Sequence, residues 1–364
     1  MADRREFLKT GALLSAAGAA VAAAAGACAT RPRPYWWEKP QRDPGSGAVD
    51  RPDRLPISWY RNTVARIQES LRERDLRGIL LQDRWNVIYA SGYFHTTTER
   101  PESLWIPAEG EPTLFVPGLD RDLVDTWWIR DYETYFDYPH AETPWWEPPR
   151  GTVDLLQWMA RGIAERGTSG GRIGLDREPR PSEIRRLREV LPQATFVDGE
   201  EILADLRIIK TPEEMALLER AIAYHDQMLE FCRSYVLEHG TSLYDWDVKH
   251  AAIAFGTDLV MRDMRLTGRE HSGAGVEISC GCRTGPATAY PHPNQFMYAP
   301  IRRGQAIQFS GIMVRIGGYG GEGYRACHIE PMTDAQRRVW EVHTEMVHAQ
   351  REFSKPGVEC REVA

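Results

Sequence analysis

The stretch Leu206-Arg207-Ile208-Ile209-Lys210-Thr211-Pro212-Glu213-Glu214 decides how the chain is divided. Thr211 offers a hydroxyl that caps a helix. Pro212 suits the first helical position, where its missing N–H would have had no partner anyway. Glu214 stands where its carboxylate reaches back to the Thr211 N–H, completing a capping box. Ala216, Leu217, Ala221 and Leu229 then carry an apolar face. A long helix therefore begins here, and what precedes it ends another domain.

Working back from that join, Thr195-Phe196-Val197 reads as a strand, Ser182 to Leu191 as a helix, Ile173-Gly174-Leu175 as a strand and Val153 to Ala164 as a helix. Leu104-Trp105-Ile106 and Thr113-Leu114-Phe115-Val116 flank the turn residues Glu109-Gly110, which predicts a hairpin. Ile79-Leu80-Leu81 reads as a strand, and Asn86-Val87-Ile88-Tyr89 is a second apolar segment. Val64, Ile67 and Leu71 fall at helical spacing. Alternating helices and strands predict an α/β domain with a mixed sheet over 56–203. Residues 28–55, rich in Pro, Arg and Asp and without periodicity, read as a linker.

The first 27 residues form a separate unit. Arg4-Arg5-Glu6-Phe7-Leu8-Lys9 precedes a weakly apolar Ala/Gly/Leu run, the pattern of a twin-arginine export signal. An Ala-rich membrane anchor is the blander reading, and the weak apolarity argues against it. Ala25-Gly26-Ala27 offers a small-residue cleavage site. Followed by Cys28 it is also a weak lipobox, without the usual Leu. The expected location is the periplasm or another exported site, with lipidation at Cys28 the one route to a membrane. Removing residues 1–27 takes away three positive and two negative side chains and leaves the mature net charge at -8, from -7. Acidic and basic residues are interspersed, so nucleic acid is not the expected partner. Cys232, Cys280, Cys282, Cys327 and Cys360 lack zinc spacing and read as small buried hydrophobes.

Five segments in order carry a resemblance to a known superfamily. Asn86-Val87-Ile88-Tyr89-Ala90-Ser91-Gly92-Tyr93 resembles an N-x-x-Y-x-x-G-Y/F phrase, and Leu206 through Glu214 an L-R-x-x-K-x-P-x-E hinge. Pro291-His292 is similar to a substrate-site histidine segment, and the hairpin from Arg303-Gly304 to a metal-binding one. Lys355-Pro356-Gly357-Val358 resembles a K-P-G-x joint. The superfamily is that of creatinase and prolidase, the M24 metallopeptidases, including aminopeptidase P-like enzymes. The resemblance implies an α/β creatinase-like N-terminal domain followed by an α+β pita-bread domain over 204–364, the latter incomplete.

Hydrolases of this superfamily hold a pair of divalent cations with an Asp, Asp, His, Glu, Glu set. By the resemblance, Ser310 stands at the first Asp position and Glu322 at the second, followed by Arg325. The other ligand positions have no counterpart in the chain. His343 and His348, five apart, point about 140° from one another on a helix and cannot share a metal. Ser310 is neutral and a weak ligand, so the metal site is read as degenerate, with Mn, Zn or Co expected only if a fuller chain supplies the missing ligands.

His292, between prolines, reads from sequence alone as a turn residue. The resemblance makes it the candidate acid–base catalyst, as in metal-independent creatinase. Glu322 is the second catalytic candidate, its alternative being a solvated carboxylate in a glycine-rich bulged hairpin. Arg325 is a candidate substrate clamp, with an ion-pair role more common for such a residue. Trp127-Trp128 and Trp145-Trp146 read as packing of a homodimer or as the wall of a pocket for a cationic group. The resulting expectation is a hydrolase of peptide or other C–N bonds, Xaa-Pro peptidase-like or creatinase-like, acting on a small molecule or short peptide. The alternative is an inactive relative that binds a ligand or partner through the same cleft.

Overall fold

A computed structural model describes residues 48, 50–95, 100–135, 154–264, 275–290 and 298–363. Helix α1 (Ile57–Glu73) turns Tyr60, Val64, Ile67 and Leu71 inward at three- and four-residue spacing. Strand β1 (Gly78–Leu81) is buried along its length. Asp83 then caps α2 (Arg84–Ser91), accepting the Trp85 and Asn86 N–H groups, and Gly92 ends it at a φ of +67°, where a side chain would be strained. The Asn86–Tyr89 segment is thus helical.

The hairpin of β2 (Ser103–Pro107) and β3 (Thr113–Pro117) forms as expected. It is followed by α3 (Arg121–Asp125), β4 (Asp131–Tyr135), α4 (Leu155–Glu165), β5 (Gly170–Leu175), α5 (Pro181–Val190), β6 (Gln193–Asp198) and α6 (Glu200–Ile208). The six strands run in the order β4-β3-β2-β1-β5-β6. β2 is antiparallel to both neighbours and the other pairs are parallel, a mixed sheet. Its two faces bury separate cores. Ile79, Leu81 and Leu104 pack on one side; Leu80, Trp105 and Phe115 meet α4 and α5 on the other.

The second sheet follows two long helices, α7 (Pro212–His239) and α8 (Asp245–Asp263). It contains β7 (Val276–Thr284), β8 (Ala306–Ile316) and β9 (Tyr319–His328), antiparallel in the order β7-β8-β9. Gly317 and Gly318, both at positive φ, make the two-residue turn between β8 and β9. The chain then forms α9 (Asp334–Phe353) and α10 (Cys360–Val363). Both sheets lie in one compact unit, Ala48–Ala364.

The capping box at Thr211 is present in both directions: Thr211 N–H donates to Glu214 Oε2 at 2.7 Å and Glu214 N–H to Thr211 Oγ1 at 3.3 Å. Its side chains also serve as a tie point. Trp59 Nε1–H of α1 donates to Thr211 Oγ1 at 3.0 Å, and Tyr319 O–H of β9 donates to Glu214 Oε1 at 2.8 Å. Glu214 is buried, so each oxygen needs its donor. Tyr319→Phe removes one of them and is expected to cost about 2 kcal/mol, the usual worth of a hydrogen bond to a charged group. A urea denaturation midpoint measures it.

Three sequence readings are corrected. A tether running through Leu55 is too long, because Asp53, Arg54 and Leu55 are buried. Trp127 and Trp128 line neither a pocket nor an outer surface. Both are 4% exposed in the core, and both indole N–H groups donate to the Ser91 carbonyl, at 2.7 and 2.8 Å. Their apolar bulk is buried while one carbonyl satisfies both polar ends. Finally, the cysteines are free but not all buried: Cys232 and Cys280 are, Cys282 and Cys327 are half-buried, and Cys360 is exposed. Trp145 and Trp146 lie outside the described residues.

Candidate functional site

The β7–β8–β9 sheet has two unlike faces. Ile307, Phe309, Ile312, Val314 and Ile316 are buried in the same core as residues of α7 and α8. Their spacing changes between Phe309 and Ile312, where the pairing shifts register at a bulge. Gly323 faces α7 as well, since a Cβ there would fall 1.8 Å from His225 Nε2. Any side chain at this position would displace the imidazole.

On the other face the ladder brings Ser310 opposite Gly281, Glu322 opposite Met313, and Arg315 opposite Glu277. Ser310 is 1% exposed and its Oγ has no hydrogen-bond partner. Gly281 leaves the room it occupies: a Cβ there would lie 3.1 Å from Ser310 Oγ. Glu322 is exposed and accepts the Tyr324 O–H at 2.7 Å. Its Oε1 hangs 3.4 Å from where a Cβ on Gly311 would be, next to Ser310. Glu322 thus reaches toward the bulge that contains Ser310 and Gly311.

Arg325 is not part of that group. It pairs with Phe309 on the helix side and lines a small cavity of about 160 Å³ with Asp226, Glu230 and Arg233 of α7. Strand alternation explains the separation, because residues 322 and 325 differ by an odd number and project to opposite faces. His292 lies outside the described residues. His343 and His348 are on the exposed helix α9, away from any such cluster.

At the end of this face a polar group joins the two sheets. Glu277 accepts Arg84 Nη2 at 2.9 Å on one oxygen and Arg315 Nη1 at 3.1 Å on the other. Both guanidinium carbons lie over the Trp85 ring, 4.9 and 5.0 Å from its centroid. Sequence reading missed these residues. Arg84-Trp85 stands just before the quoted Asn86 phrase, but nothing in the sequence links it to Glu277 or Arg315.

Can these residues hold a pair of divalent cations? Hard cations want several carboxylate oxygens converging. Next to Glu322 the chain offers a neutral hydroxyl, and Glu277 is occupied by two arginines. Among the described residues no group of three or more His, Cys, Asp or Glu is arranged for a metal ion. Among the described residues this face thus offers one carboxylate free of arginine, Glu322, and the Ser310 hydroxyl.

The Creatinase/Prolidase N-terminal domain family matches residues 64–209. The first sheet, β1 to β6, lies within the matched residues. Over longer spans, the chain is 21% identical across 311 residues to a creatinase from Bacillus sp. (strain B-0618), covering 84% of this chain and 68% of that one. It is 22% identical across 301 residues to a Xaa-Pro dipeptidase from Lactobacillus helveticus, covering 82% and 74%. The crystal structure of a prolidase from Thermococcus sibiricus superposes with a TM-score of 0.61 at 17% identity, over 80% of this chain and 71% of that one. Together these matches support the creatinase/prolidase superfamily. The architecture is the prolidase one, an α/β domain followed by the pita-bread domain.

Proposed function

We propose that this protein is a hydrolase of the creatinase/prolidase superfamily, cleaving an amide or other C–N bond in a small molecule or short peptide, with His292 rather than a metal pair moving the proton. The observation that carries this reading is the prolidase fold with an exposed Glu322 on the β7–β8–β9 sheet, reaching toward the bulge that holds the buried, unpartnered Ser310 hydroxyl. The exposed Glu322 carboxylate binds and orients a polar substrate, but beside a neutral hydroxyl it does not make a shared metal-bound water. Proton transfer then falls to an imidazole, whose ordinary pKa lets it give and take a proton near neutrality. His292 protonates the leaving nitrogen, and Glu322 holds positive charge on the substrate. The twin-arginine pattern of residues 1–27 supports a site of action outside the cytoplasm, and a homodimer is the proposed assembly.

A substrate panel tests the reading. Purified protein is offered Xaa-Pro dipeptides and guanidino compounds, with and without a chelator, and its metal content is measured. The expected result is turnover that survives chelation. A stoichiometric pair of Mn, Zn or Co ions per subunit, with activity lost on their removal, refutes the metal-independent mechanism.

A further inference from the structure

Four ionisable side chains are packed together inside the α/β domain, and the hydrolase reading uses none of them. Glu102, one residue before β2, and His95, in the connection after α2, have side chains only 3% and 7% exposed, with the imidazole Nδ1 3.1 Å from Glu102 Oε2. The two are not aligned for a hydrogen bond, and both atoms are buried without one. Tyr93 stacks on the imidazole, ring centroids 5.6 Å apart, and its buried O–H has no partner. Asp120 completes the group. It sits on the short turn Gly118–Asp120 that leads into α3, and its carboxyl hydrogen-bonds to that of Glu102.

Positive charge is scarce here. The charge of Arg84 acts on both Glu102 and His95, but its Nη2 serves Glu277 of the second sheet at 2.9 Å. Arg121, next to Asp120, bonds Tyr132. Burial, and then Arg84, holds the His95 imidazole down at about 4, so near neutrality it brings no charge. Burial, and then Asp120, pushes Glu102 up to about 9. Both directions are those of ionisable groups denied water and given no opposite partner. A protonated carboxyl donates to a carboxylate, whereas two carboxylates in contact repel. The contact between the start of β2 and the turn before α3 therefore stands on a single proton.

We propose that Glu102 and Asp120 form a pH-operated catch: while they share a proton the turn before α3 stays fastened to β2, and when the proton leaves, their repulsion releases the turn and loosens α3. Glu102 is the group that titrates. Its contribution to stability is whole below the ordinary 4.5 and is lost as pH rises through about 9. His95, with a lowered value, loses its contribution on the acid side, as pH falls from 6.5 through about 4. An alkaline loss therefore belongs to the carboxyl pair and not to the imidazole.

Trypsin, which cleaves at both neutral and alkaline pH, reads the catch at Arg121, the first residue of α3. Arg351 on the exposed helix α9 is the internal reference. Brief digestion of the full chain at pH 7.5 and 9.5, with the peptides quantified by mass, should show the ratio of cleavage at Arg121 to cleavage at Arg351 rising at least about tenfold in the wild type, as expected of local opening. Glu102→Gln keeps a neutral donor facing Asp120, and Asp120→Asn removes the repulsion, so each should hold the ratio constant. Melting at pH 7.5 shows which variants are folded, and either one suffices. A wild-type ratio that does not change with pH overturns the proposal. So does the same rise in a folded Glu102→Gln or Asp120→Asn variant, which traces it to general alkaline loosening.

Discussion

Asp53→Ala is expected to lower the unfolding free energy by about 3–5 kcal/mol, because it strands a buried guanidinium. Asp53 is 1% exposed and holds Arg54 through both oxygens, at 3.2 and 3.0 Å. The same carboxylate accepts Arg51 and, at 2.7 Å, the N–H of Gly275, at the start of the second sheet. Arg54 sits between the rings of Phe94 and Trp127, 4.9 and 4.8 Å from their centroids, and donates to the Gly92 carbonyl at 2.8 Å. Breaking one half of this group leaves the charged half in the core. The penalty comes from that stranding and does not measure what the intact pair contributes. Urea denaturation of wild type and variant gives the difference, and a loss below about 1 kcal/mol, the level of an exposed ion pair, contradicts it.

The same residue sets a pH signature. Burial alone would raise the Asp53 pKa, but Arg54, Arg51 and the Gly275 N–H outweigh it and hold the carboxyl down at about 2, against an ordinary 3.8. A depressed folded-state pKa contributes stability above the unfolded value, and that contribution is lost as pH falls from about 3.8 through about 2. By linkage it is on the order of 2 kcal/mol. The stability gap between wild type and Asp53→Asn should therefore narrow across that window and stay flat from pH 5 to 7.

His292→Ala is expected to lower kcat by about 100- to 10,000-fold, the usual range for losing a positioned acid–base group. The argument comes from what the open sheet face lacks. Ser310 offers a neutral hydroxyl and Glu277 is occupied by two arginines. If His292 supplies the proton to the leaving nitrogen, the alanine variant should lose the pH dependence of kcat along with its rate. Unchanged kcat in His292→Ala, with the protein folded, removes the imidazole mechanism. Glu322→Gln is the companion: it should raise KM more than it lowers kcat if the carboxylate binds substrate charge.

How much of this could be read from the residues alone depends on how local the determinants are. The Thr211-Pro212-Glu214 start of α7 was legible because a capping box is written within four consecutive positions. The β2–β3 hairpin and the Val64, Ile67, Leu71 helix were legible because turn chemistry and periodicity act over a few residues. Tertiary structure decided which residues meet. The bulge after Phe309 sets Ser310 and Glu322 on one face, and strand alternation sends Arg325 to the other. Asp53 looked like part of a tether because its partner, the Gly275 N–H, lies 222 residues away. Trp127 and Trp128 looked like surface groups because the Ser91 carbonyl that satisfies both lies in another element. Sequence determines local structure through neighbouring residues, whereas burial and pairing depend on which distant segments fold against each other.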